Sequence, residues 1–152
     1  MSNENALTQN DVENFIAAWY QALDYHLPID QIYKLLAEEA LDMKFPDGEI
    51  RDYASFEKWY VRVINLFFDE NHTVHPESID VKIQGDSAIV NLIVGWQASW
   101  WEPPVAKSKR VSLDATQRWT VRLSSRNIYG VEIVTYDAMA EPFKYAPGFA
   151  RL

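Results

Sequence analysis

The chain has 152 residues, a net charge of -8 from 14 Lys and Arg against 22 Asp and Glu, and no cysteine. That length suits one core of roughly 100 to 200 residues, and an acidic chain without a basic run lacks the phosphate-pairing stripe that DNA or RNA binding needs. Disulfides, thiolate catalysis and cysteine-held metals are excluded, while 48% hydrophobic and 14% aromatic residues favour a packed core over disorder and supply rings for a cavity wall.

Met1 to Asn10 carry no basic segment followed by an apolar one, the pattern of a secretory signal. No apolar run reaches the roughly 18 residues of a membrane span, so a cytoplasmic protein without a membrane partner is expected. Val12, Phe15, Ile16, Trp19, Tyr20 and Leu23 recur at helical spacing and predict a first helix from about Thr8 to Tyr25. Thr8 or Asn10 is its candidate cap, with Asp11 and Glu13 near the positive end of its dipole. Pro28 opens a short second helix through Ile29, Ile32, Tyr33 and Leu36. Leu41, Met43 and Phe45 then alternate with Asp42 and Lys44, and Pro46-Asp47-Gly48 turns this strand into a small hairpin. Asp52 caps a third helix whose apolar face is Phe56, Trp59, Tyr60, Val63, Ile64 and Phe67, and which is predicted to end near Phe68 or Asp69.

From His72 onward the pattern is that of strands. Ile79, Val81 and Ile83 alternate with polar residues, and Gly85-Asp86 leads into a long strand from about Ser87 to Trp101, apolar on both faces. Pro103-Pro104 ends it, and a mobile loop through Arg110 is expected. Further strands cover about Val111 to Leu123 and Ile128 to Tyr136, joined by a turn at Ser124 to Asn127. The tail carries Phe143, Tyr145 and Phe149, rings expected to pack over a pocket mouth or against a partner. The prediction is one α+β domain over residues 1–152, with three N-terminal helices on a curved, mixed or antiparallel sheet, an internal pocket, and 137–152 as a C-terminal tail.

The order of helix, helix, hairpin, helix and then strands resembles the nuclear transport factor 2-like superfamily, in particular its SnoaL-like branch. The local matches are Leu36-Ala-Glu-Glu-Ala-Leu-Asp-Met-Lys-Phe-Pro-Asp-Gly48, Asp52-Tyr-Ala-Ser-Phe-Glu-Lys-Trp-Tyr60, and His72-Thr-Val-His75 ahead of a strand ending in Gly85-Asp86. The resemblance implies a cystatin-like cone around a pocket, an architecture that hosts enzymes, carriers and assembly subunits alike. In the ketosteroid isomerases of this group an Asp moves the proton while a Tyr and a protonated Asp hold the oxyanion. Carried over, the tyrosine falls at Tyr20, the second donor at Gln117 and the base at Phe45, whose ring accepts no proton.

His72 is the replacement acceptor, since an imidazole with an ordinary pKa of about 6.5 takes and returns a proton at neutral pH. Its position resembles that of a pocket histidine in SnoaL-like members. The alternative is that His72 and His75 both sit in a solvated loop. Three residues apart on an extended strand they face opposite ways and share no metal, while His26 reads as a structural turn residue; no metal site and no cofactor are expected. Strand parity turns Ala115, Gln117, Trp119, Val121 and Leu123 inward, and sends Arg118 and Arg122 outward towards Glu132 or a second subunit. The expected site has His72 as proton shuttle, Tyr20 and Gln117 as oxyanion donors, and Phe45, Trp59, Tyr60, Trp96 and Trp119 as walls. Its ligand is a small apolar or cyclic molecule, and its chemistry a cofactor-free lyase, isomerase or cyclase-type proton transfer. The other reading is a non-catalytic dimerisation module or accessory subunit, a homodimer through the sheet, because a two-sided apolar strand would otherwise show Trp and Val to water.

Overall fold

A computed structural model describes residues 6–152 of the chain. Residues 1–5, which begin both the expected domain and the segment read for a signal peptide, lie outside the described residues. Helix α1 (Gln9–Asp24) starts at a reciprocal cap: Thr8 Oγ1 accepts from the Asp11 N–H at 3.1 Å, and Asp11 Oδ2 accepts from the Thr8 N–H at 3.1 Å. Its apolar stripe is buried, including Val12, Phe15, Ile16, Trp19, Tyr20 and Leu23. Thr8→Ala should cost about 1 kcal/mol in urea unfolding at unchanged m-value; an undetectable loss would mean that the cap does not hold the helix start.

A short α2 (Ile29–Tyr33) leads into the hairpin of β1 (Asp42–Phe45) and β2 (Gly48–Ile50), with Met43 opposite Ile50. Asp52 caps α3 (Tyr53–Leu66) through a second reciprocal pair with Ser55. The helix ends earlier than its apolar period predicts. Phe67 already has extended angles, φ -100 and ψ 144, and opens β3 (Phe67–Val74), five residues ahead of the expected start of strand structure at His72. Phe67 and Phe68 continue the helical stripe of α3, so local period cannot detect the change; pairing with Trp100 and Ser99 decides it.

A 3-10 turn at Pro76–Ser78 precedes β4 (Asp80–Gln84), followed by β5 (Ser87–Trp100), β6 (Lys109–Leu123), β7 (Val131–Asp137) and the short β8 (Lys144–Tyr145). The sheet order is β2-β1-β7-β6-β5-β3, with β4 on the first half of β5 and β8 on β6. β1 joins β7 in parallel and the other pairs are antiparallel, which makes the sheet mixed. β5 and β6 form its spine, paired without interruption from Ser87 opposite Arg122 to Trp100 opposite Lys109. β6 therefore begins two residues before its expected start. β7 begins three residues after its own, because Asn127 Oδ1 accepts from the Tyr129 and Gly130 N–H groups and Gly130 takes a φ of 74 that favours glycine. Arg126 fastens this turn to the helical layer, donating to Glu132, Glu38, the Tyr53 hydroxyl and the Leu36 carbonyl.

The helices cover one face of the sheet, where Trp19 meets Phe56, Trp119 and Tyr136 at ring distances of 6.5, 6.5 and 5.6 Å. On β5 the inward residues Ala88, Val90, Leu92 and Val94 are buried, and the outward set is Ser87, Ile89, Asn91, Ile93, Gly95 and Gln97. The expected outward display of Trp and Val is thus not found: Trp96 faces the interior, Trp100 is buried beside Phe67, and the exposed Trp101 lies beyond the strand. No helix among the described residues is long and apolar enough to cross a membrane.

Candidate functional site

The helices and the concave face of the sheet enclose a cavity of about 360 Å³. Its wall takes Leu23 from α1, Phe45 from the hairpin, Trp59, Tyr60 and Val63 from α3, and Val94 and Trp96 from β5. Leu113, Ala115 and Gln117 come from β6, Tyr136 from β7, and Phe143 and Leu152 from the tail. β8 brings that tail to the cavity by pairing Tyr145 with Leu113. Phe45 and Trp59 stack at 4.0 Å, so the position resembling the isomerase base is a piece of apolar wall.

The polar groups of the cavity are aimed by a bulge in β3. Between the pairs Phe68–Ser99 and Asn71–Gln97 two residues, Asp69 and Glu70, stand against Ala98 alone, and Asp69 takes a φ of 52. Plain alternation from Phe67 would turn Glu70 and His72 outward. The extra residue reverses the parity: Phe68 and Asp69 are both exposed, while Glu70 and His72 reach the cavity. Arg110 holds the bulge from β6, donating to the Asp69 carbonyl at 3.2 Å and to Ser99 Oγ at 2.8 Å.

His72 is fixed by the last residue of α1. Asp24 Oδ1 lies 2.6 Å from His72 Nδ1, and Asp24 Oδ2 accepts from the His72 backbone N–H at 3.0 Å. An ionised carboxylate only accepts, so Nδ1 carries the ring proton and Nε2 is left as the acceptor. The ring stacks on Tyr20 at 4.9 Å and lies 6.4 Å from the ring of Trp96, its neighbour across the strand pair. Two residues before it, the Glu70 side chain is 6% exposed and bonded on both oxygens, to Trp96 Nε1 at 3.1 Å and to His26 Nε2 at 2.6 Å.

A second polar group lies across the cavity. Gln117 Oε1 accepts from the Tyr20 hydroxyl at 2.7 Å and from Trp119 Nε1 at 3.0 Å. The indole N–H has no acceptor role, so it identifies the Gln117 oxygen and turns the amide NH2 towards Tyr136 and the cavity. Burial raises the Tyr136 hydroxyl to about 12, and burial followed by the charge of Tyr136 raises Tyr20 well above the ordinary tyrosine value. Both remain protonated donors at neutral pH.

Neither a family model nor a curated protein sequence matches the chain. Solved structures do. A nuclear transport factor 2-like superfamily protein from Salmonella enterica serovar Typhimurium superposes with a TM-score of 0.68 at 12% identity, covering 93% of this chain and 96% of the other. The hexachlorocyclohexane dehydrochlorinase LinA-type3 from Novosphingobium barchaimii gives 0.71 at 7% identity, covering 95% and 93%. The chain has the nuclear transport factor 2-like fold. The S. rosetta CaMKII hub is also similar, with a TM-score of 0.66 at 15% identity over 90% of this chain and 95% of the hub. At these identities the shared property is the cone.

Within the nuclear transport factor 2-like cone, His72, Gln117, Phe45, Trp59, Tyr60 and Trp96 line the cavity. Tyr20 and Trp119 do not. Both are buried behind the wall, and the only hydroxyl proton of Tyr20 is given to Gln117. Tyr20 is thus a support for Gln117 and His72, and Trp119 a core residue; Tyr136 lines the cavity from β7, and its buried hydroxyl accepts from Trp19 Nε1. His72 and His75 lie in and just past β3, with His75 on the opposite side against Asp114 at 3.0 Å, so the solvated-loop alternative is set aside. His26 does occupy the turn after α1, at φ 49, but its ring also reaches Glu70. Asp24, Glu70 and Tyr136 were not singled out in the sequence. Asp24 had one usable signal, its place one helical turn after Tyr20; Glu70 had none, because its direction depends on the bulge. Among the described residues no group of three or more His, Asp and Glu is placed to hold a metal ion.

Proposed function

We propose that the chain is a SnoaL-like, cofactor-free lyase that binds a small apolar, cyclic molecule in the cone and removes a proton from one of its carbons. The observation that carries this reading is His72 on the wall of an apolar cavity, with Nδ1 engaged by Asp24 and Nε2 unused. In the step, Nε2 takes the proton, the C–H electron pair becomes the new double bond, and a leaving group on the neighbouring carbon departs with its own pair. Asp24 orients the ring and stabilises the imidazolium that forms. The Gln117 amide is the donor on the cavity wall for the leaving group or for a carbonyl that gathers charge. A cavity of about 360 Å³ suits a ligand of one or two rings. The dehydrochlorinase of like fold acts on a hexachlorocyclohexane, as its name states, which makes halogenated rings a first probe class.

Halogenated cyclohexanes and cyclic β-hydroxyketones incubated with the protein in heavy water, followed by NMR, test the proposal. Loss of the leaving group or deuterium entry well above the buffer rate is expected for some members. Probes that bind without either change would overturn it.

A second reading, self-association through the sheet into a homodimer or an accessory subunit, rests on Ile89 and Ile93 on the outer face of β5 and on the likeness to a hub protein. Light scattering decides it: a monomer at micromolar concentration is incompatible with that role.

A further inference from the structure

Glu70 is a carboxylate buried in an apolar wall, an expensive placement unless its charge is held and used. The bulge at Asp69 turns it inward, and His26 and Trp96 each donate to one oxygen. Each oxygen offers two lone-pair directions, so both keep capacity for one more donor. Among the described residues of the lining the one guanidinium, that of Arg62, is paired with Asp47 rather than with Glu70. The neighbouring Tyr60 hydroxyl is already given to the Leu27 carbonyl at 2.7 Å. Burial and, after it, the Glu70 charge push that hydroxyl up to about 12, so it stays protonated.

We propose that Glu70 sets the ligand class of the cavity: it accepts a hydrogen bond from a hydroxyl or an ammonium on a neutral or cationic ring, and repels rings that carry a carboxylate. The proposal rests on the reading of the cone as a ligand cavity and adds its selectivity. Glu70 and His72 are two residues apart on the same inward face of β3, roughly 7 Å along the strand. A ring anchored by its donor at Glu70 therefore presents its far edge to His72.

Three probes sharing one ring system, indanol, aminoindane as its ammonium and indanecarboxylate, separate the possibilities by calorimetric titration of the whole chain. The wild type is expected to bind the alcohol and the ammonium at least about tenfold more tightly than the carboxylate, the scale of a hydrogen bond to a charged group. Glu70→Gln should erase the ammonium preference and admit the carboxylate, and Glu70→Leu should weaken the alcohol as well. Thermal unfolding accompanies each variant, and Glu70→Gln, which keeps an acceptor for Trp96, carries the test should Glu70→Leu fail to fold. Equal wild-type affinities, or an order of affinities unchanged by Glu70→Gln, would reduce Glu70 to a fastener for the His26 turn and overturn the proposal while leaving the cavity reading intact. If none of the three probes binds, both fall together.

Discussion

His72→Ala is expected to lower kcat/KM for any ring the protein turns over by about 10² to 10⁴-fold, the usual contribution of a positioned general base. The ring is held from two elements at once: Asp24 at 2.6 Å and Tyr20 stacked at 4.9 Å, both from α1, and the β3 backbone, whose N–H also binds Asp24. Its geometry is therefore set before a ligand arrives, and the loss should fall on kcat rather than on KM. His72→Gln refines the test, since it keeps a polar group of similar reach but accepts no proton. Affinity for a non-reacting probe should stay within a few-fold of the wild type in both variants. A fall in kcat/KM of less than about tenfold would remove His72 from the chemistry and leave the cavity as a binding site.

The second large effect is on stability. Trp19 is fully buried, contacts the rings of Phe56, Trp119 and Tyr136, and donates Nε1 to the Tyr136 hydroxyl at 3.3 Å. Trp19→Ala should cost about 3 to 5 kcal/mol, because a void of indole size forms where helix and sheet meet and close-packed surroundings relax only in part. Against a typical total of about 5 to 15 kcal/mol this takes a large share of the stability of the fold. Equilibrium denaturation reads it as a lower midpoint at similar slope. Trp19→Phe, which keeps most of the ring volume and loses the N–H, should cost less than half as much. A loss under about 1 kcal/mol for the alanine variant would mean that α1 does not anchor the core in the way its contacts indicate.

The two variants probe opposite ends of what could be read in the sequence. Trp19 lies on a stripe of helical period, and its burial was legible from spacing alone. The cap at Asp52, the two cap candidates Thr8 and Asn10 of which the structure uses Thr8, the β1–β2 turn, and the inward parity of Ala115 and Gln117 on β6 were legible for the same reason: each depends on residues within a few positions of one another. His72 was named from its residue type and family position, but its partner was not. Asp24 stands 48 residues away, and His26 is 44 residues from Glu70. Tyr20 shows the converse limit, since spacing places it on the buried face and leaves open whether its hydroxyl reaches the cavity or stops at Gln117.

Local period and turn chemistry in the sequence by themselves determined three helices, a hairpin and a set of alternating strands with their apolar faces inward. Tertiary structure alone decided which polar groups of β3 face the cavity. A strand's side-chain direction has a period of two, so one extra residue in β3, placed by pairing against β5 and held by Arg110, reverses every direction after it. That single register step brings His72 to Asp24 and Glu70 to His26, and it is set by contacts between strands that no local window of sequence contains.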